Sequence, residues 1–244
     1  MDKKAKYYNG ICIFDYHKTL AFSQKAHNLA YQNTVNEVYG VKGSLNEVNS
    51  VASTIQTVTK DIARLRGVSE KELALKESQI LSVYEKNLMI SLEKYLPRIN
   101  SQVENFLDIL LKNKFALSLY SGESLISLKY ILKKINLDKY FPDYAITPAS
   151  RITNSIINRK VLLKEAVTNA KKQFKYNSQR AIFVFDDSKE GIIAANELGL
   201  ISIGITKDKK VISESNPQLI YPDFTSFEKI IGDMYKRLDK LKSN

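Results

Sequence analysis

The hydrophobic pattern changes character twice along the chain. Residues 11–14, Ile-Cys-Ile-Phe, form a short unbroken apolar run that meets Asp15, the pattern of a strand buried on both faces of a parallel sheet. From Leu20 to Pro97 the strand pattern disappears and helical spacing takes over. A first helix is expected from about Ser23 to Tyr39, ended by Gly40. A second opens at the capping box Ser44-Leu45-Asn46-Glu47 and closes near Gly67. A long third helix opens at Ser69-Glu70-Lys71-Glu72, carries Leu73, Ile80, Tyr84, Leu88 and Leu92 near one face, and stops at Pro97. This block reads as an inserted helical bundle, a cap.

Strands and helices then alternate. A helix capped by Ser101-Gln102-Val103-Glu104 precedes the strand Phe115 to Tyr120, which ends at Ser121-Gly122. A helix to about Asn136, a short strand at Tyr144 to Ile146 and a helix from near Lys160 to Phe174 follow. The strand Ala181 to Phe185 ends at Asp186-Asp187, with its helix reaching Leu198. Ile201 to Ile205, a short Leu219-Ile220 and a last helix capped by Thr225-Ser226-Phe227-Glu228 complete the chain. Strand–helix alternation predicts an α/β fold, a doubly wound parallel sheet with an inserted all-helical cap domain. Residues 1–20 and 97–244 make the Rossmann-like core, and residues 21–96 the cap.

Composition narrows the class. A chain of 244 residues, 44% apolar and 26% charged, can bury a full core. No apolar run is long enough to span a membrane, and the run before Asp15 is too short for a signal peptide. The lone Cys12 has no internal partner and fits a reducing, cytoplasmic setting. The net charge of +11 is spread as lysine pairs such as Lys3/Lys4, Lys133/Lys134 and Lys171/Lys172 over polar helix faces and loops. That dispersal argues against a nucleic-acid surface and for a general attraction to anionic substrates. A monomer is the default.

Parallel strands put their carboxyl ends on one edge, so Asp15, Ser121 and the Asp186-Asp187 pair should converge there. Three carboxylates in one crevice need a cation, and an all-oxygen set suits Mg²⁺. Helix capping is the competing account of Asp187, within the box Asp187-Ser188-Lys189-Glu190, but it explains only one of two adjacent acids. Ser121-Gly122 offers a hydroxyl and backbone N–H groups at a helix start, a phosphate cradle or simply an N-cap. Lys160, with Lys164 as its rival one turn on, can bring a counter-charge to the same edge.

These residues resemble the haloacid dehalogenase superfamily on its phosphatase side, of the phosphoglycolate phosphatase and β-phosphoglucomutase type. Asp15-Tyr16-His17-Lys18-Thr19-Leu20 resembles its opening Asp-x-Asp-Gly-Thr-Leu, and Ser23 to His27 resembles the passage into its cap. Leu119-Tyr120-Ser121-Gly122 resembles its second motif, and Phe185-Asp186-Asp187-Ser188-Lys189-Glu190-Gly191-Ile192 its fourth. The resemblance implies a Mg²⁺-dependent phosphatase of small phosphorylated metabolites. It assigns the nucleophile that forms an aspartyl-phosphate to Asp15. Mg²⁺ falls to Asp15, the His17 carbonyl, Asp187 and Asp186, and the phosphoryl group to Ser121, Gly122 and Lys160. Thr19 and His27 fall beside the cap.

The chain departs from the pattern at His17, where the family has its second Asp, at Lys18 in place of Gly, at Phe22 in place of an acid, and in lacking a Lys-Pro-x-Pro motif. His17 is expected to serve as the general acid/base. The alternatives are phosphoryl transfer to another acceptor, as in a mutase, and a degenerate member that binds a phosphorylated ligand or a protein partner without turnover.

Overall fold

The computed structural model describes residues 8–48, 53–151, 158–175 and 181–242. The basic start, residues 1–6, with its pair Lys3/Lys4, lies outside the described residues. The first strand, β1 (Gly10–Asp15), is buried along its whole length, as its unbroken apolar run requires. After it come a two-residue strand β2 (Ala21–Phe22), helices α1 (Gln24–Tyr39), α2 (Ile55–Leu65) and α3 (Glu70–Lys94), and a second two-residue strand β3 (Arg98–Ile99). Helix α4 (Val103–Lys112), β4 (Phe115–Ser121), α5 (Leu125–Lys134), β5 (Ile146–Pro148) and α6 (Arg159–Gln173) follow. The chain ends with β6 (Ala181–Asp186), α7 (Lys189–Glu197), β7 (Ile201–Ile205), α8 (Lys209–Ser213), β8 (Leu219–Tyr221) and α9 (Phe227–Lys242).

Six strands form one parallel sheet in the order β5-β4-β1-β6-β7-β8. The chain builds outward from β1 to β4 and β5 on one side, then crosses back to β6, β7 and β8 on the other. The strand order therefore reverses at β1, and the carboxyl end of β1 is the position where open α/β sheets bind ligands. Alternate residues of β1 feed two cores. Cys12 and Phe14 point into one, where Phe14 stacks on Phe185 at 4.5 Å and meets Phe106 and Phe141 edge-on. Ile11 and Ile13 point into the other, against Leu162, Leu163, Ala194 and Ala195 of α6 and α7. Both faces are covered, so every strand in the centre can be apolar throughout.

The cap helices pack on one another, with Tyr31 of α1 against Tyr84 of α3 at 4.7 Å. The chain leaves and rejoins the core through β2 and β3, which pair antiparallel, Ala21 with Ile99 and Phe22 with Arg98. The sequence pattern shows neither strand, because two residues are too few to display a period. Arg98 stacks its guanidinium on the Phe22 ring at 4.4 Å, so Phe22 serves as the platform of this junction.

Three boundaries move. The box at Ser44 caps a single 3₁₀ turn, Leu45–Glu47, and α2 begins later, capped by Thr54; residues 49–52 lie outside the described residues. The strand expected at Tyr144 to Ile146 shifts to Ile146–Pro148, since Asp143–Ala145 turn as 3₁₀ directly after Pro142. Pro148 is tolerated because β5 is an edge strand. The box at Ser101 forms no cap, because Gln102 takes a left-handed conformation, φ 61°, before α4.

Candidate active site

The carboxyl ends of β4, β1 and β6 lie side by side, with Asp15 registered against Tyr120 and Phe14 against Phe185. This brings Asp15, Asp186 and Asp187 together: one carboxylate oxygen of each lies within 4.8 Å of the others. The expected convergence is present, and Ser121 ends the adjacent strand. Asp15 and Asp186 are buried. Burial, with Asp186 and Asp187 beside it and Arg159 opposing, raises the Asp15 carboxyl well above the usual range. Burial and the neighbouring Asp186 push Asp187 up to about 7.

Each acid has a defined anchor. Asp186 Oδ1 accepts the Ser188 N–H at 2.8 Å and the Ser188 hydroxyl at 2.6 Å, and the Tyr120 hydroxyl donates to Oδ2. Asp186 rests directly on Gly191 of α7, where an added Cβ would lie 1.9 Å from Oδ2. The helix cap is Ser188, which accepts the Gly191 N–H at 3.1 Å, so Asp187 does not cap α7. Asp187 instead accepts from the buried Thr19 hydroxyl at 3.5 Å. Ser121 is likewise not the cap of α5; that position belongs to Ser124, and Ser121 Oγ accepts the Glu123 N–H at 3.2 Å. Gly122 meets the cap, since a Cβ there would stand 3.4 Å from the Ser53 carbonyl oxygen.

Lys160 does not reach this edge. Its ammonium pairs with Glu197 on the outer surface at 2.9 Å, and Lys164 is exposed on the same helix. Arg159 takes the place instead. Its Nη1 donates to Asp15 Oδ1 at 2.8 Å, its Nε lies 3.7 Å from Asp186 Oδ2, and the guanidinium lies over the Tyr120 ring. Asn158 caps α6, so Arg159 is its first helical residue and faces inward. One residue further along a helix turns a side chain by about 100°. The expectation set Lys160 against Lys164 and left Arg159 out, although Arg159 and Lys160 are adjacent cations at a helix start that only the helix phase separates. Two further residues flank the Ser121-Gly122 pair: Tyr120, quoted within the second motif but given no role there, donates to Asp186 and lies under Arg159, and Glu123, which had drawn no notice, lines the cleft.

His17 is oriented toward the start of the cap. Its Nδ1 is 3.1 Å from Ser23 Oγ and its Nε2 is 3.1 Å from Gln24 Oε1. Burial lowers its pKa to about 4, so the imidazole is neutral at pH 7. Little imidazolium is therefore present at pH 7 to give up a proton, and both ring nitrogens already have partners. His27 is buried, 2.7 Å from the Tyr84 hydroxyl, and burial lowers its pKa to about 3. Lys18 holds a left-handed backbone, φ 63°, the conformation that a Gly would adopt without strain. A cleft of about 180 Å³ lies between sheet edge and cap; Asp15, Arg159, Ser121, Asp187, Glu123 and Tyr31 are among its lining.

The acids fit a divalent cation. Asp15 Oδ2 is buried with no hydrogen-bond partner, and three crowded carboxylates share a single guanidinium. Hard oxygen donors at this spacing suit Mg²⁺. Among the described residues no helix is long and apolar enough to cross a membrane.

No protein-family model matches this sequence, and no curated protein matches it. Solved structures do. A β-phosphoglucomutase from Clostridium difficile superposes with a TM-score of 0.67 at 16% identity, over 95% of this chain and 99% of that one. A predicted phosphoglycolate phosphatase from Haemophilus somnus gives 0.68 at 17%, over 92% and 98%. A phosphonoacetaldehyde hydrolase-like protein from Oleispira antarctica gives 0.72 at 10%, over 97% and 96%.

Proposed function

We propose, from a fold it shares with solved phosphatases and β-phosphoglucomutases of the haloacid dehalogenase type, a Rossmann-like core with a helical cap, that the chain is a Mg²⁺-dependent phosphomonoesterase acting on a small phosphorylated metabolite, with the cap formed by residues 21–96 and hinged at β2 and β3. The observation that carries the reading is the juxtaposition of Asp15, Asp186 and Asp187 at the point where strand order reverses.

In this reading Asp15 attacks phosphorus through a carboxylate oxygen, and water later cleaves the aspartyl-phosphate. Asp15, Asp187, Asp186 and the His17 carbonyl would hold Mg²⁺, which supplies charge neutralisation for the transferring phosphoryl group. The Ser121 hydroxyl and Gly122 N–H bind phosphoryl oxygens, and Arg159 takes the role expected of Lys160, orienting Asp15 and facing the developing charge. Thr19 steadies Asp187, while His17 and His27 tie the site to the cap through Ser23, Gln24 and Tyr84. His17 therefore positions the cap. Cap closure excludes water and reads the leaving group. The free, buried Cys12 accords with a reducing, cytoplasmic setting.

The test is phosphate release from a panel of phosphomonoesters with and without Mg²⁺. Release should require the metal and vanish in Asp15→Asn; activity that survives that substitution refutes the assignment. The β-phosphoglucomutase likeness favours one second reading, transfer to a sugar-phosphate acceptor. Product that appears only when such an acceptor is added would select it.

A further inference from the structure

An alkyl phosphate ester needs a proton on its departing oxygen, and the side chain two residues after Asp15 is poorly placed to give one. Both ring nitrogens of His17 are engaged by the first residues of the cap, Ser23 and Gln24. Another acid, Glu123, lines the same cleft beside Ser121 and Gly122.

Resting on the phosphatase reading above, we propose that Glu123 is the general acid that protonates the leaving oxygen, and the general base toward water in the second half-reaction. Its N–H is bound to Ser121 Oγ at 3.2 Å, so the residue is fixed to the turn that binds the phosphoryl group. Its side chain lines the same cleft as Asp15 and Arg159. Oε1 accepts from the Tyr84 hydroxyl at 3.3 Å and lies 3.4 Å from His27 Nδ1, while those two cap residues are 2.7 Å from each other. Oε2 is buried and has no partner. Among the described residues no Lys or Arg pairs with Glu123. The carboxyl is thus steered by one oxygen from the cap and left with the other uncommitted.

The surroundings keep a proton on it. Tyr31 and His27 face it from α1, Tyr84 and Glu85 from α3, and Tyr16 from the end of β1. None is a cation at neutral pH, and burial lifts the carboxyl to about 8. The proton balance closes over the cycle. An Asp15 oxygen bonds to phosphorus, the ester P–O bond breaks, and the Glu123 proton passes to the departing oxygen as the alcohol leaves. Water then bonds to phosphorus and gives a proton back to Glu123, and the bond from phosphorus to Asp15 breaks to release phosphate.

The experiment compares Glu123→Gln with the wild type on p-nitrophenyl phosphate, whose leaving group needs no proton, and on glycerol phosphate, whose leaving group does. The expected loss in kcat/KM is about 10²–10⁴-fold on the alkyl ester and less than about tenfold on the aryl ester. Equal losses on both, or none, overturn the proposal. Should the variant fail to fold, the wild type decides: kcat/KM nearly level from aryl to alkyl esters supports the acid, and a steep decline with leaving-group basicity overturns it. Asp15→Asn is run alongside. Activity remaining in that variant faults the phosphatase reading, whereas matched aryl and alkyl losses in Glu123→Gln fault only the acid.

Discussion

Replacing Gly191 by Ala tests whether α7 is shaped around the acid that ends β6. In most helices the change stabilises by up to about 1 kcal/mol, because Ala is the better helix former. Here the new Cβ would lie 1.9 Å from Asp186 Oδ2, 2.1 Å from Cγ and 2.6 Å from Oδ1, with no other atom so close. Ordinary contact is near 3.5 Å, so the carboxylate must withdraw by roughly 1.5 Å. It cannot do so freely, since it accepts from Ser188 twice and from Tyr120, and Arg159 stands beside it. Overpacking of this kind costs about 1–3 kcal/mol, and disturbed bonds to a buried carboxylate cost a similar amount. The net expectation is a destabilisation of about 1–3 kcal/mol in urea unfolding. Activity should fall about 10²-fold, since a displacement near 1 Å suffices for that. In an Asp186→Ala background the same change should become neutral or stabilising, because the three atoms nearest the new Cβ are gone. A Gly191→Ala protein as stable as the wild type, or one equally destabilised in both backgrounds, refutes the argument.

Arg159→Ala should destabilise by about 3–5 kcal/mol by leaving Asp15 and Asp186 buried without a counter-charge, whereas Lys160→Ala should shift stability by under about 1 kcal/mol because its pair with Glu197 is solvated. Equal effects in the two variants, read by denaturant melts, would refute the assignment of Arg159. His27, held neutral by burial with a pKa of about 3 against 6.5, makes the unfolded chain bind a proton first as pH falls. Its contribution is therefore intact above pH 6.5 and lost progressively toward pH 3, at up to about 1.4 kcal/mol per pH unit. Asp187 and Glu123, raised to about 7 and about 8, act in the opposite sense, so the informative quantity is the difference from His27→Asn. That variant should gain on the wild type as pH falls from 6.5, and parallel pH profiles would contradict the account.

The sequence alone determined the elements whose signal is local. Apolar runs that stop at an acid or a serine made β1, β4 and β6 legible together with Asp15, Ser121 and Asp186. The absence of strand spacing between them announced the cap. Everything that depends on a side chain's direction was left to the tertiary structure. Arg159 and Lys160 are adjacent, like-charged and equally plausible until the phase of α6 turns one inward and the other onto Glu197. β2 and β3 exist only because residues far apart in the chain meet, and two residues carry no period of their own. Glu123 looks like any loop acid in sequence; its distinction comes from Tyr84 and His27, delivered by helices of the cap. Periodicity is a one-dimensional record of burial, so it shows where strands end. Which side chains face one another there depends on how strands and helices pack.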